Sequence, residues 1–206
     1  IALSYLEEYC DIALGGGAER FTSKGRKDKL NLIDSLAKRG YAVVYSQDEL
    51  SKCESEKIFG LFAEGHLPEA SKRGGVMQQY MLKALEQLDK NPNGFFMMLE
   101  GSRIDMEAHL NKYDAMVEET LDFDRCVAIA LDFAKRKGNT LVVVTADHET
   151  GGLTLPAKGS KTQDKWTTLN HTGVPVPIYS FGPGAENFTR VMQNTDIFFE
   201  IYKLMK

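Results

Sequence analysis

Residues 140–152 of the chain read Thr-Leu-Val-Val-Val-Thr-Ala-Asp-His-Glu-Thr-Gly-Gly. The first seven of these are almost continuously apolar or β-branched, which predicts a strand that is covered on both faces. Asp147 and His148 follow the run at once, and the two glycines after them predict that the strand breaks there. Ligands of open α/β sheets bind beyond the carboxyl ends of strands. The segment therefore predicts both a core strand and a pair of candidate metal ligands at its tip.

The rest of the chain alternates similar runs with helical stretches. Strands are predicted at Asp11–Leu14, Tyr41–Ser46, Lys57–Ala63, Gly94–Leu99, Thr140–Ala146 and Val176–Phe181, and helices at Arg26–Lys38, Gly75–Leu88, Asp114–Lys137 and Asp196–Met205. Alternation of this kind predicts an α/β fold in which a largely parallel sheet is sandwiched between helices. Because no repeat or linker divides the 206 residues, we expect residues 1–206 to belong to a single α/β domain.

The composition excludes several classes of protein. Apolar residues make up 43% and charged residues 26% of the chain, which excludes disorder, collagen and coiled coil. The net charge of −4 gives no indication of a basic surface that would bind nucleic acid. No apolar run approaches the roughly 18–20 residues that a membrane span requires. Cys10, Cys53 and Cys126 are widely spaced, so buried free thiols are favoured, with a single Cys10–Cys53 bridge left open.

Two further segments carry residues that can bind metal ions. Residues 100–109 read Glu-Gly-Ser-Arg-Ile-Asp-Met-Glu-Ala-His, and a helical turn there would place Asp105 and His109 on one face, four residues apart. Glu100, at the predicted end of a strand, offers oxygen to a hard cation. His171 precedes the last predicted strand. Any one of these segments alone is also compatible with a surface or capping cluster, but three of the four histidines in such contexts favour a metal site.

Together these segments resemble the alkaline phosphatase family. The resemblance runs from Ile12–Gly17 through Gly60–Pro68 to His171–Gly173, and it is sharpest in the Glu-Gly-Ser-Arg-Ile-Asp and Thr-Ala-Asp-His-Glu-Thr-Gly-Gly segments. It implies an alkaline-phosphatase-like fold and hydrolysis of small phosphomonoesters with two Zn²⁺ ions and one Mg²⁺ ion. It also implies a homodimer that is exported to the periplasm or outside the cell.

The same resemblance assigns the metal ligands. Asp105, His109 and His171 match the three ligands of the family's first zinc, which activates water. Asp147 and His148 match two ligands of the second zinc, which stabilises the oxyanion of the nucleophile. A zinc ion with three protein ligands and one open position is also what catalysis requires on general grounds.

Other parts of the family's site have no counterpart in the sequence. Glu100 matches a ligand of the family's magnesium ion. Four other groups are expected before Ile1, because they come earlier in the family's sequences: the nucleophilic serine, the bridging aspartate, the magnesium-binding threonine and the phosphate-binding arginine. We therefore expect the chain to be the C-terminal half of a phosphatase, an incomplete portion of the full fold, and to be inactive when isolated.

Several alternatives remain open from the sequence. The protein could be another two-metal member of the wider superfamily (a phosphodiesterase, sulfatase or phosphomutase), or a non-catalytic metal-binding fragment. Arg103 could contact a phosphate or form a salt bridge with a neighbouring carboxylate. Glu149 and Thr150 lie beside the second zinc pair and are given only a supporting role, and His66 is assigned a structural role.

Overall fold

The computed structural model describes residues 1–7, 10–155 and 165–205, and the chain divides into two units, Ile1–Leu99 and Glu100–Lys206. The first unit is built on three strands, β1 (Ile12–Gly15), β2 (Ala42–Val44) and β3 (Ile58–Leu61). Their order is β1-β3-β2, and both pairs are parallel. The central strand β3 is buried along its whole length, as its unbroken apolar run predicts. The predicted parallel sheet is thus confirmed in this unit.

Among the described residues of this unit, five helices precede, separate or follow the strands along the chain. They are α1 (Ser4–Glu7), α2 (Leu32–Lys38), α3 (Gln47–Lys52), α4 (Ala70–Arg73) and α5 (Val76–Leu88). The core on one side is aromatic: the Phe59 ring lies 5.0–6.0 Å from the rings of Tyr5, Phe21 and Tyr41, in the edge-to-face arrangement that aromatic quadrupoles favour.

Helix α2 begins later than the sequence predicts. Its N-cap is Asn31, whose side chain accepts a hydrogen bond from the Ile33 amide. The preceding residues cannot extend the helix, because Lys29 has a φ of 60°, which a right-handed helix does not allow.

In its described part, the second unit contains the long helix α7 and two small antiparallel ladders. Its elements are α6 (Arg103–His109), α7 (Tyr113–Lys137), β4 (Val142–Val144), β5 (Glu149–Thr150), β6 (His171–Thr172), β7 (Tyr179–Phe181) and α8 (Asn194–Leu204). Strand β4 pairs with β7 and β5 with β6, both antiparallel. Helix α7 ends at Lys137, and its C-cap Gly138 has a φ of 73° and donates to the Ala134 carbonyl, which is a common way for a helix to end.

One predicted strand is wrong. Residues 94–99 form no ladder with any residue that the structure describes. A nearly continuous apolar run predicts a buried strand, but a strand also needs a hydrogen-bonded neighbour. The exposed side chains of Phe96 (59%) and Met98 (76%) fit this absence of a partner. The tip of a parallel strand, where the sequence places Glu100, is therefore not formed, and both ladders of this unit are antiparallel.

Two general expectations can be compared with the described residues. Cys10, Cys53 and Cys126 are all free thiols, and only Cys126 is fully buried. No helix in the described ranges combines the length and the apolar character that crossing a membrane requires.

Candidate metal centre

Helix α6 places two of the predicted ligands side by side. Asp105 and His109 lie one turn apart on this helix, and Asp105 Oδ1 is 3.4 Å from His109 Nε2. The structure thus confirms the helical turn on which the predicted pairing depends.

The β5–β6 ladder brings His171 to the same place. His171 is opposite Thr150, and Thr172 is opposite Glu149. The Glu149 carboxylate holds this register, because it accepts hydrogen bonds from the Gly152 amide at 2.9 and 3.2 Å and from the Thr172 hydroxyl. His171 therefore reaches α6 from a segment 62 residues beyond His109.

Gly151 allows the segment that contains Trp166 to pack closely against the chain just after β5. Its φ is +92°, and a Cβ atom there would lie 2.5 Å from the Trp166 ring. Its carbonyl accepts from the amides of Thr167 and Thr168, and its amide donates to the Asn170 carbonyl. A side chain at this position would meet both a strained backbone and an occupied space, so glycine is required to position His171.

Three ligand atoms form a nearly equilateral triangle. Asp105 Oδ1, His109 Nε2 and His171 Nε2 are separated by 3.0, 3.4 and 3.5 Å, and the residues form the one group of three or more potential ligands found among the described residues. A tetrahedral zinc ion with bonds of about 2.0–2.1 Å requires ligand atoms about 3.3–3.4 Å apart. The separations fit three ligands of one zinc ion, and a tetrahedral ion has a fourth position that these three ligands do not fill.

A backbone carbonyl sets the ring orientation of His109. Its Nδ1 lies 2.5 Å from the Leu169 carbonyl oxygen. Because a carbonyl only accepts, Nδ1 carries the proton, and the neutral ring keeps its Nε2 lone pair for a metal ion bound beside Asp105 and His171. This is the outer hydrogen bond that metal-bound histidines ordinarily make.

Asp147 and His148 form a second pair of potential ligands just beyond β4. Asp147 Oδ2 lies 3.3 Å from His148 Nε2, which is also a suitable separation for two ligands of one ion. The His148 ring stacks on the His171 ring, with centroids 3.5 Å apart. Asp147 is 84% exposed. The pair therefore adjoins the Asp105–His109–His171 triangle but supplies only two ligands.

Glu100 is not brought into this centre by any described contact. It is exposed, and the structure describes no hydrogen bond or ion pair that joins it to the other five predicted ligands. The run before it forms no strand, so the role of Glu100 as a magnesium ligand stays a prediction.

Arg103 forms salt bridges. Its guanidinium lies 2.6 Å from Glu107 and 3.3 Å from Glu119, two carboxylates that are almost completely buried. The salt-bridge interpretation is confirmed. Arg103 offsets part of the charge of two carboxylates that would be costly to bury alone, and Lys112 Nζ lies 3.7 Å from the Glu107 carboxylate as a second cation.

One group in the centre has no signal in the sequence. It is the Leu169 carbonyl, since backbone contacts are not written in side-chain identity.

Thr150 is the residue to which the sequence assigns a supporting role beside the second zinc pair. Its hydroxyl oxygen lies 2.6 Å from Asp105 Oδ1 and 3.2 Å from His148 Nδ1, and these contacts agree with that role.

Comparisons with known proteins agree on one family. The family model described as alkaline phosphatase matches residues 1–163. Alkaline phosphatase H of Pseudomonas aeruginosa is 34% identical over an alignment that covers 100% of this chain and 54% of that protein. Alkaline phosphatase 4 of Bacillus subtilis is 30% identical, with coverage of 100% and 61%. The chain thus spans little more than half the length of these relatives.

A solved structure extends the likeness to the fold. The alkaline phosphatase of the Antarctic bacterium TAB5 superposes with a TM-score of 0.91 at 35% identity, covering 99% of this chain and 63% of that one. A variant of that enzyme was solved with Mg bound in the M3 site. The α/β fold predicted from the sequence is confirmed. With a family model that matches most of its residues, relatives at 30–34% identity and this superposition, the chain belongs to the alkaline phosphatase family.

Proposed function

We propose that this chain carries the metal-ligand portion of a metal-dependent phosphomonoester hydrolase of the alkaline phosphatase type. The observation that carries the proposal is the triangle of Asp105, His109 and His171, whose edges of 3.0–3.5 Å suit a zinc ion. In the proposal this triangle holds the first zinc, Asp147 and His148 contribute to the second, and Glu100 contributes to a magnesium site.

The arrangement suits phosphoryl transfer. Zinc bound there would supply positive charge to the attacking and leaving oxygens and lower the pKa of water. The protein's part is orientation: the Leu169 carbonyl holds the His109 ring, and the β5–β6 ladder holds His171. The ligands are half-buried or exposed, which leaves room for a small phosphomonoester.

Further properties of the whole protein belong to the same proposal. We infer that residues 1–206 are the C-terminal part of a single α/β phosphatase domain and that the protein is a homodimer located in the periplasm or outside the cell. Support for this comes from the family relationship, since bacterial relatives such as alkaline phosphatase H match the whole of this chain.

The isolated chain should bind metal without hydrolysing substrate. In the described ranges, no serine hydroxyl hydrogen-bonds a ligand of the triangle, and a nucleophile acting jointly with metals accounts for much of the rate enhancement of such enzymes. The chain should therefore bind about one zinc ion appreciably and show no turnover of a chromogenic phosphomonoester.

Zinc titration against a competing chelator tests the ligand assignment. The variant His109→Ala should bind zinc more than about 100-fold more weakly, because it loses a direct ligand of the ion. Loss of a residue that only hydrogen-bonds to a ligand typically lowers metal affinity 10–100-fold. The matched control is His66→Ala, which removes an exposed histidine of the first unit and should leave the affinity unchanged. Unchanged affinity in His109→Ala would refute the assignment.

A substrate panel tests the reaction. The intact protein should hydrolyse phosphomonoesters in preference to phosphodiesters and sulfate esters. A preference for diesters or sulfates would favour another member of the wider superfamily. Zinc-dependent turnover by the isolated chain would contradict the requirement for a nucleophile outside it.

A further inference from the structure

Thr150 lies between the two groups of ligands. Its hydroxyl oxygen is 2.6 Å from Asp105 Oδ1, a member of the triangle, and 3.2 Å from Nδ1 of His148, a member of the neighbouring pair. Thr150 is half-buried, and the ladder that pairs it with His171 holds its backbone. A β-branched side chain held in this way has few rotamers available, so the hydroxyl is aimed by the fold.

The direction of both hydrogen bonds follows from the chemistry of the groups. A hydroxyl has one hydrogen to donate and lone pairs that accept. The Asp105 carboxylate can only accept, so the single hydrogen of Thr150 points to Asp105 Oδ1. The contact with His148 must then run the other way, with Nδ1–H donating to the Thr150 oxygen.

The second bond determines which nitrogen of His148 can bind a metal. When Nδ1 of a neutral imidazole carries the proton, Nε2 has the free lone pair. It is Nε2 of His148 that lies 3.3 Å from Asp147 Oδ2, at a separation suited to two ligands of one ion. The tautomer that Thr150 enforces is therefore the one in which His148 and Asp147 can act together.

We propose that Thr150 is a positioning residue that couples the two metal sites. Its one hydroxyl orients the carboxylate of Asp105 in the first site and fixes the tautomer of His148 in the second. This inference rests on the proposed function for the identity of the sites, but the hydrogen bonds themselves are a property of the metal-free chain.

Nitrogen-15 NMR of the metal-free chain tests the tautomer directly. At about pH 8, where imidazole is neutral, His148 should be the Nδ1–H tautomer. In Thr150→Val, which keeps the shape and loses the hydroxyl, His148 should shift toward the Nε2–H form, and Thr150→Ser should restore Nδ1–H. Nε2–H in the wild type, or no change in Thr150→Val, would overturn the proposal. The wild-type spectrum decides even if Thr150→Val fails to fold.

Zinc affinity tests the coupling. Thr150→Val should bind zinc about 10–100-fold more weakly, as is typical when an outer partner is removed, while Thr150→Ser should stay within a few-fold of wild type. Unchanged affinity in Thr150→Val would overturn the coupling. If His109→Ala also left the affinity unchanged, the proposed function would fail instead, and the NMR result would still stand for the hydrogen bonds.

Discussion

At the scale of single residues, the centre depends on positions that carry no ligand atom. Gly151 is the sharpest case. Ala at this position would be forced into a left-handed backbone with a φ of +92°, and its Cβ would meet the Trp166 ring at 2.5 Å.

We predict that Gly151→Ala lowers the free energy of unfolding by at least about 1–2 kcal/mol, the cost of a left-handed backbone with a Cβ. It should also weaken zinc binding about tenfold or more, because the return segment that carries His171 must shift. Gly173→Ala is the control, since its Cβ would meet nothing within 4 Å although it lies two residues from His171. Equal zinc affinity in the two variants would contradict this account.

The sequence predicts the ligands better than it predicts what holds them. Asp105 and His109 are four residues apart, so helical spacing alone pairs them. The contacts with the Leu169 carbonyl and the Thr150 hydroxyl arise between segments far apart in the chain. No local pattern encodes such contacts, because they exist only once β5 and β6 have paired.

At the scale of elements, length decides what the sequence reveals. The 25-residue helix α7 is long enough to show a helical period, and the four-residue strand β3 lies in an unbroken apolar run. The two-residue strands β5 and β6 have neither feature. Direction is also hidden: apolar runs predict strands at β4 and β7, but their antiparallel pairing depends on which neighbours meet.

Helix α5 supplies a prediction about alkaline pH. Tyr80 on this helix is buried and stacks on Phe62 with ring centroids 4.2 Å apart. Burial raises the pKa of Tyr80 from 10.0 to about 12. The unfolded chain therefore loses this proton first, so the stabilisation is fully present below pH 10 and is lost as pH rises toward 12.

Ionisation of Tyr80 should lower the free energy of unfolding by roughly 2 kcal/mol at about pH 12 and have no effect near pH 9. Denaturant unfolding of wild type and Tyr80→Phe at both pH values measures it: the variant should lose less stability than wild type as pH rises. Tyr179→Phe, at an exposed position, controls for deletion of a tyrosine hydroxyl. Equal losses in wild type and Tyr80→Phe would contradict the prediction.

At the scale of the whole molecule, all six predicted ligands lie in the second unit, Glu100–Lys206. A ligand that binds only the folded state stabilises that state by about 2.7 kcal/mol when its free concentration is a hundred times its dissociation constant.

We therefore predict that zinc slows amide hydrogen exchange chiefly in α6, β5 and β6. Peptides from β1 to β3 should change less in the same mass-spectrometric experiment. Equal protection of both units by zinc, or zinc-dependent protection that persists in His109→Ala, would contradict this prediction.

The 62-residue separation between His109 and His171 has a consequence for the unfolded chain. His109 and His171 can bind one ion only while the folded chain holds them together. In the chain-entropy treatment of cross-links, closing a loop of about 60 residues costs about 4 kcal/mol. The unfolded chain would have to bear this cost before both histidines could bind one ion, so it should bind zinc far more weakly than the folded chain does. Most of the ion's binding free energy therefore adds to the stability of the fold.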